Sequence, residues 1–238
     1  MAKERLDKLL ASTGRWSRSE VKRLVREGRV LADGKPAASP EEKHDAERVS
    51  LAVDGETLRL RRYTYVMLHK PAGVLSATED GHGRTVLDLL PEMYRRRGLF
   101  PVGRLDRDTE GLLLLTDDGN LAHELLSPKK HVDKVYYAQV DGALTPEDRA
   151  AFEAGITLGD GVSCRSAGLE ILSSGARSEA LVTLREGKFH QVKRMFAIRG
   201  KQVTYLKRLS MGPLTLDESL APGEYRELTD EEEKKLTR

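Results

Sequence analysis

FPVGRLDRDTEGLLLLTDDG, residues 100–119, holds the two patterns on which the reading of this chain turns. In its second half, Leu112, Leu113, Leu114 and Leu115 run without interruption between Gly111 and a Thr-Asp-Asp-Gly turn. A short continuous apolar run between turn signals predicts a buried strand. The first half masses Arg104, Asp106, Arg107, Asp108 and Glu110 at the mouth of that strand. A carboxylate beside an apolar layer needs partners or water; a solvated loop has no use for such an arrangement, and an active site has. Two plainer readings compete. Asp106, Asp108, Glu110 and Gly111 match the opening of a calcium-binding EF-hand loop. The twelfth position, which should be a bidentate Glu, is however Asp117, the flanks are not amphipathic helices, and two arginines stand among the supposed ligands. The other plain reading is a surface turn whose charges pair with one another.

Composition narrows the field. A chain of 238 residues and 26.5 kDa has length for one large domain or two. With 33% charged, 39% hydrophobic and 5% aromatic residues it is expected to be soluble. No stretch has the apolar length of a membrane helix, and MAKERLDKLL lacks the apolar core of a secretory signal. The single cysteine, Cys164, excludes an internal disulfide and argues against a thiolate zinc site, so the expected compartment is the cytoplasm, with no membrane partner. His69, His82 and His131 are scattered without metal-ligand spacing, and no metal site is expected. There is no Gly-rich phosphate loop, nucleotide fingerprint or Ser-His-Asp order.

Charge is uneven along the chain. Residues 1–35 hold ten Lys and Arg against five Asp and Glu, and residues 185–208 hold eight basic residues against Glu186 alone. Basic patches on a nearly neutral chain point to a polyanion gripped at defined places. Leu6, Leu9 and Leu10 predict a short helix over residues 4–12. Ser17 and Glu20 form a capping-box pattern, and Val21, Leu24 and Val25 supply the apolar face of a second helix ending at Gly28. Arg18, Lys22, Arg26 and Arg29 then fall on one side of that helix with no Glu or Asp interleaved on that side, a phosphate-facing stripe. Hairpins follow at Asp33-Gly34 and Asp54-Gly55. RLDKLLA, SRSEVKRLVREGRVLADGK and the two hairpins resemble the S4-type RNA-binding domain, over about the first quarter of the chain. That resemblance implies binding of structured RNA by the basic helix.

A basic stretch at residues 59–62 marks the expected hinge, dividing the chain into residues 1–60 and 61–238. Beyond it the pattern predicts a strand over residues 63–69, a short helix stopped by Pro91, and a helix over residues 121–126. Strands follow over residues 134–140, 162–172 and 180–184, with a helix beginning at Thr145-Pro146. Val192, Met195 and Phe196 have helical spacing, and the acidic tail reads as a solvated helix. Strands with irregularly inserted helices give an α+β class.

FPVGRLD with TEGLLLLTDDG, LHKPAG at 68–73, SPKKHVDKVYY at 127–137, EGKFHQVKRMF at 186–196 and LAPGEYRELT at 220–229 together resemble the pseudouridine synthases, most closely the RsuA branch. The resemblance spans nearly the whole chain with five motifs in order. It implies a mixed, mostly antiparallel sheet with flanking helices and loops in the second domain. It implies as activity the isomerisation of a uridine in RNA, by breaking N1–C1′ and rejoining the base through C5, a redox-neutral change that needs no cofactor. The family's essential aspartate falls on Asp106, acting either by attack or by removal of a sugar proton; both require the anion. From the residues alone, Arg104 and Arg107 adjoin Asp106, and nearby cations favour its charged form. Lys193 or Arg194 corresponds to the family's basic partner of the aspartate, Lys193 by the alignment of HQVK; Arg194 otherwise reads as a phosphate contact. Tyr136 falls on the tyrosine that lies against the target base. Arg104 matches the arginine that fills the gap left by an extruded base, and Arg107 is placed with it against RNA. His190 reads as structural or RNA-contacting. The expected substrate is a uridine of 16S rRNA, free or in a small-subunit assembly particle, with the protein acting as a monomer. The alternatives are a 23S enzyme of the RluB, RluE or RluF type, whose last motif is arginine-rich where this chain has His190-Gln191-Val192-Lys193-Arg194, and a catalytically silent rRNA-binding assembly factor.

Overall fold

The computed structural model describes residues 3–127 and 129–237, so Pro128 of the SPKKHVDKVYY motif lies outside the described residues. The chain divides into two compact units: residues 1–64 with Leu90–Leu99, and Tyr65–Leu89 with residues 100–238.

In the first unit, helix α1 (Leu6–Ala11) buries Leu6, Leu9 and Leu10. Helix α2 (Arg18–Arg26) buries Val21, Leu24 and Val25 and opens on the expected capping box. Ser17 N donates to Glu20 Oε2 at 2.7 Å, and Glu20 N donates back to Ser17 Oγ at 3.3 Å. These apolar faces share a core with Val30, Leu51 and Val53 of a small antiparallel sheet. Its strands are β1 (Val30–Ala32), β2 (Lys35–Pro36), β3 (Leu51–Val53) and β4 (Glu56–Leu58), in the order β2-β1-β3-β4. Both hairpin turns carry two successive residues at positive φ, Asp33-Gly34 and Asp54-Gly55, the backbone that suits the strand twist. Arg29 lies beyond α2, which ends at Arg26, so only Arg18, Lys22 and Arg26 share the helix. A further helix, α3 (Glu92–Arg97), belongs to this unit although it is distant in sequence. The short helix expected before Pro91 is a 3-10 turn over Val86–Leu89, and Pro91 also stands as N-cap of α3, a place where its missing N–H removes no bond. Arg97 ties α3 down through Nη1 to Ser12 O at 2.9 Å and Nη2 to Arg61 O at 2.7 Å.

The second unit is built on a mixed sheet. Its strands and helices are β5 (Tyr65–Lys70), β6 (Glu110–Thr116), α4 (Gly119–Leu126), β7 (Lys134–Asp141), α5 (Pro146–Ala154), β8 (Gly168–Ser173), β9 (Arg177–Leu184), α6 (Gln191–Ile198), β10 (Gln202–Met211), β11 (Tyr225–Glu227) and α7 (Asp230–Leu236). The strand order is β8-β9-β7-β10-β6-β5-β11, antiparallel throughout except for the parallel pair β10/β6. The architecture is therefore the α+β one expected, with a mostly antiparallel sheet. The leucine run is the buried strand β6, fully enclosed from Gly111 to Thr116. The strand expected over residues 162–172 begins only at Gly168. The residues before it close a local turn through Leu158 N to Val162 O at 2.9 Å, so Val162 and Ser163 pair within the chain's own loop. One row of register partners crosses the sheet centre: Lys70, Gly111, Arg208, Tyr136 and Val182. Three polar side chains, Lys70, Arg208 and Tyr136, thus stand at one level of the sheet.

Candidate active site

Above that row lies the loop that carries Asp106. Leu105 is buried, and its backbone is clamped by Ser76, whose Oγ donates to Leu105 O at 2.9 Å and accepts from Leu105 N at 3.1 Å. Gly73 N donates to Arg107 O at 2.7 Å. From beneath, the fully buried Lys70 directs Nζ at three carbonyls: Pro71 O at 3.0 Å, Arg107 O at 3.2 Å and Thr109 O at 2.9 Å. Burial pulls the Lys70 ammonium down to about 8, against the opposing pull of Asp108, Asp106 and Glu110. An ammonium out of water needs acceptors on each proton; here the acceptors are the backbone of the loop, which is thereby fixed.

Asp106 is held by this backbone with its side chain 24% exposed. It faces helix α6, which is pinned by buried Val192, Met195 and Phe196 so that Lys193 projects from the opposite face. Lys193 Nζ lies 3.2 Å from Asp106 Oδ2 and 2.5 Å from Asp108 Oδ1. Burial works against the charge of Lys193, but its bonds to Asp108 and Asp106 outweigh that and hold the ammonium above the usual lysine range. The same bond holds the Asp108 carboxyl below the usual carboxylate range. His190 Nε2 is 3.6 Å from Asp106 Oδ1.

The cations expected around Asp106 need correction. Arg107 turns away, its Nε donating to Gly73 O at 3.2 Å, and Arg104 is an exposed residue on the wall of the adjoining cavity. The groups facing Asp106 come instead from α6 and the residue before it. Of the two candidates there, Lys193 reaches the aspartate, whereas Arg194 pairs with Asp160 at 2.6 Å and donates to Phe189 O at 3.3 Å. Arg29 too is engaged, with Asp54 at 2.6 Å and Glu27 at 2.9 Å, which leaves Arg18, Lys22 and Arg26 as the basic face of α2. Lys22 lies 4.0 Å from Glu41.

Asp106 opens into a cavity of about 670 Å³. Tyr136, Lys134, Arg208 and Arg104 share its wall, so the structure brings together Asp106, Tyr136, Lys193 and Arg104. Arg208 is 2% exposed; its Nε donates to Leu112 O at 2.8 Å, while Nη2 has no hydrogen-bond partner among the described residues. Lys134 is also buried, and desolvation, then Arg208, lower its pKa. Lys70, Lys134 and Arg208 are not among the site residues expected from the sequence. For Lys70 a signal existed: a lysine closing the apolar strand of LHKPAG has to find acceptors on whatever segment covers it.

This fold has known counterparts. The family model described as RNA pseudouridylate synthase matches residues 64–198, and the S4 domain model matches residues 4–47. The chain belongs to the RNA pseudouridylate synthase family. It is therefore an isomerase, of RsuA type with an RNA-binding S4 domain. It is 41% identical over 229 residues to the ribosomal small subunit pseudouridine synthase A of Vibrio cholerae, covering 96% of this chain and 97% of the relative. It is 50% identical over 229 residues to an uncharacterized RNA pseudouridine synthase, YtzG, of Bacillus subtilis, covering 96% of each. A crystal structure of pseudouridylate synthase superposes with a TM-score of 0.67 at 36% identity, covering 98% of this chain and 99% of the other. The sequence expectation of an RsuA-type synthase agrees with these findings.

Proposed function

We propose that this pseudouridine synthase isomerises a uridine of 16S rRNA, with Asp106 as the carboxylate that acts on the extruded nucleoside. The observation that carries the reading is Asp106 on the wall of a cavity large enough for a nucleoside, with Lys193 Nζ 3.2 Å from its carboxylate. Lys193 keeps a cation beside the carboxylate, as attack at C1′ or removal of a sugar proton requires. Tyr136 lies in the same wall and offers a ring to the base. Arg104, exposed at the mouth, offers a guanidinium to the vacated place in the RNA stack, whose opening costs a few kcal/mol. N1–C1′ breaks, C5–C1′ forms, and the C5 proton is exchanged for one on N1, so the change is redox-neutral.

Residues 1–60 are read as the part that docks on structured RNA and residues 61–238 as the catalytic part, in a monomer working in the cytoplasm. The basic face of Arg18, Lys22 and Arg26 supports the first assignment. Among the described residues no helix is long and apolar enough to cross a membrane. The small-subunit target is supported by the likeness to a ribosomal small subunit synthase and by the HQVKR form of the last motif. The test is a pseudouridine assay on protein-free 16S rRNA and on small-subunit particles with the native chain and Asp106→Asn, together with mapping of both rRNAs after gene deletion. The native chain is expected to form one pseudouridine, and the variant to lose at least about 10³-fold in rate with its melting temperature preserved. An active variant would sink the role of Asp106; loss of a 23S site alone on deletion would sink the 16S target.

A further inference from the structure

Phe189 is the most exposed large apolar side chain among the described residues, 75% accessible, and it stands on the wall of the Asp106 cavity. Its ring does not lie loose on the surface. It stacks on His190 with centroids 3.7 Å apart and planes 20° from parallel, and His190 in turn places Nε2 3.6 Å from Asp106. The backbone at this point is special: His190 adopts φ 50° and ψ 35°, a left-handed conformation for a residue with a side chain, immediately before α6. Such conformations persist where the surroundings enforce them and gather at functional sites. Here Arg194 Nη1 binds Phe189 O at 3.3 Å and Lys188 N donates to Gln191 Oε1 at 2.9 Å, so the turn on both sides of the ring is tied down. One face of Phe189 is covered by His190, which leaves a flat apolar surface beside a cavity with cations on its wall.

The geometry points to Phe189, backed by His190, as a stacking platform for an unpaired RNA base next to the target uridine. A nucleobase is the ligand this surface fits. It has a π-face of matching size, it arrives on a polyanionic backbone that the exposed Arg104 attracts, and extruding one nucleotide leaves its neighbours with an unstacked face. An apolar peptide side chain would satisfy the ring but would have no use for the surrounding cations. This inference rests on the reading of the cavity as an rRNA uridine site and adds a contact for a second nucleotide.

The test compares Phe189→Ala, Phe189→Leu, Phe189→Tyr and Phe189→Trp with the native chain. Dissociation constants and single-turnover rates are measured on transcribed, unmodified 16S rRNA, with 23S rRNA as the second probe. Stacking of one base on an aromatic ring corresponds to about 5- to 150-fold in affinity. Phe189→Ala and Phe189→Leu are therefore both expected to weaken binding at least fivefold, with the loss falling on KM rather than kcat, whereas Tyr and Trp restore it. The slope of log Kd against log salt should stay at the native value in all four, since no phosphate contact is removed. Native-like binding by the Ala variant, or equal rescue by Leu and Tyr, overturns the platform. A native chain that forms no pseudouridine sinks the functional reading instead, and the platform is still decided by the ratio of variant to native affinity on the rRNA that binds.

Discussion

Lys193 stands between two carboxylates, and each of its contacts does a different thing. The bond to the exposed Asp108 holds the ammonium in line, while the contact to Asp106 supplies charge where the proposed chemistry needs an anion. Replacing Lys193 with Met should lower the single-turnover rate by about 10²–10³, the usual effect of removing one aligned electrostatic partner, and Lys193→Arg should recover part of it. Rapid-quench measurement of pseudouridine checks this. Lys70 gives a prediction in pH. Its folded-state pKa is pulled to about 8, below the ordinary lysine value, so the folded chain releases this proton before the unfolded chain does. Between pH about 8 and about 10.4 the unfolded state binds more protons at this site, and the contribution of Lys70 to stability therefore rises with pH. Comparing melting temperatures of the native chain and Lys70→Met from pH 7.5 to 9.5 should show the difference shifting in favour of the native chain. A constant difference would mean that Lys70 is protonated alike in both states.

At the scale of elements, the site depends on how closely β6 and β10 approach. Gly111 has φ +101°, and a Cβ there would lie 2.2 Å from Arg208 O and 2.7 Å from Arg208 N. Both the backbone conformation and the space exclude a side chain, so Gly111→Ala should destabilise the fold by about 3 kcal/mol or more, read from urea unfolding. Activity should fall with it, because Gly111 sits in the same row as Lys70 and Arg208, directly below the Asp106 loop. The sequence announced β6 through four leucines and turn residues on either side, and announced α2 through its Ser17–Glu20 cap. It hid α3, because a proline that ends one helical segment can equally begin another, and only tertiary contacts such as those of Arg97 decide which. The start of β8 was hidden for a related reason: residues 156–163 satisfy their backbone locally in a turn, which periodicity does not register.

Over the whole molecule, charge is arranged by unit. The first carries a basic helix face and the second carries cations around a cavity. If Arg18, Lys22 and Arg26 face phosphates, replacing all three with Ala should flatten the dependence of log Kd on log salt by roughly 2–3, at little expense to the single-turnover rate on saturating RNA. An unchanged slope would mean that this helix face stays in solvent. The compact units also bear on where the chain can be cut. Leu90–Leu99 packs with residues 1–64, so a fragment beginning at residue 61 keeps α3 but removes Ser12 O, an acceptor of Arg97.

The sequence by itself determined the class of fold, the family and the S4 domain at the start, because these rest on local patterns: runs of leucine, caps, turn residues and ordered motifs. Only the tertiary structure decided where Arg104 and Arg107 go, and brought Lys193, which the family resemblance names, to Asp106. Arg104 and Arg107 are neighbours of Asp106 along the chain, yet the loop backbone, gripped by Lys70 and Ser76, sends Arg107 to Gly73. The partner is Lys193, delivered from a helix whose orientation is set by the burial of Val192, Met195 and Phe196. Coulomb interaction follows distance in space, and distance in space is settled by packing, which no spacing along the chain records.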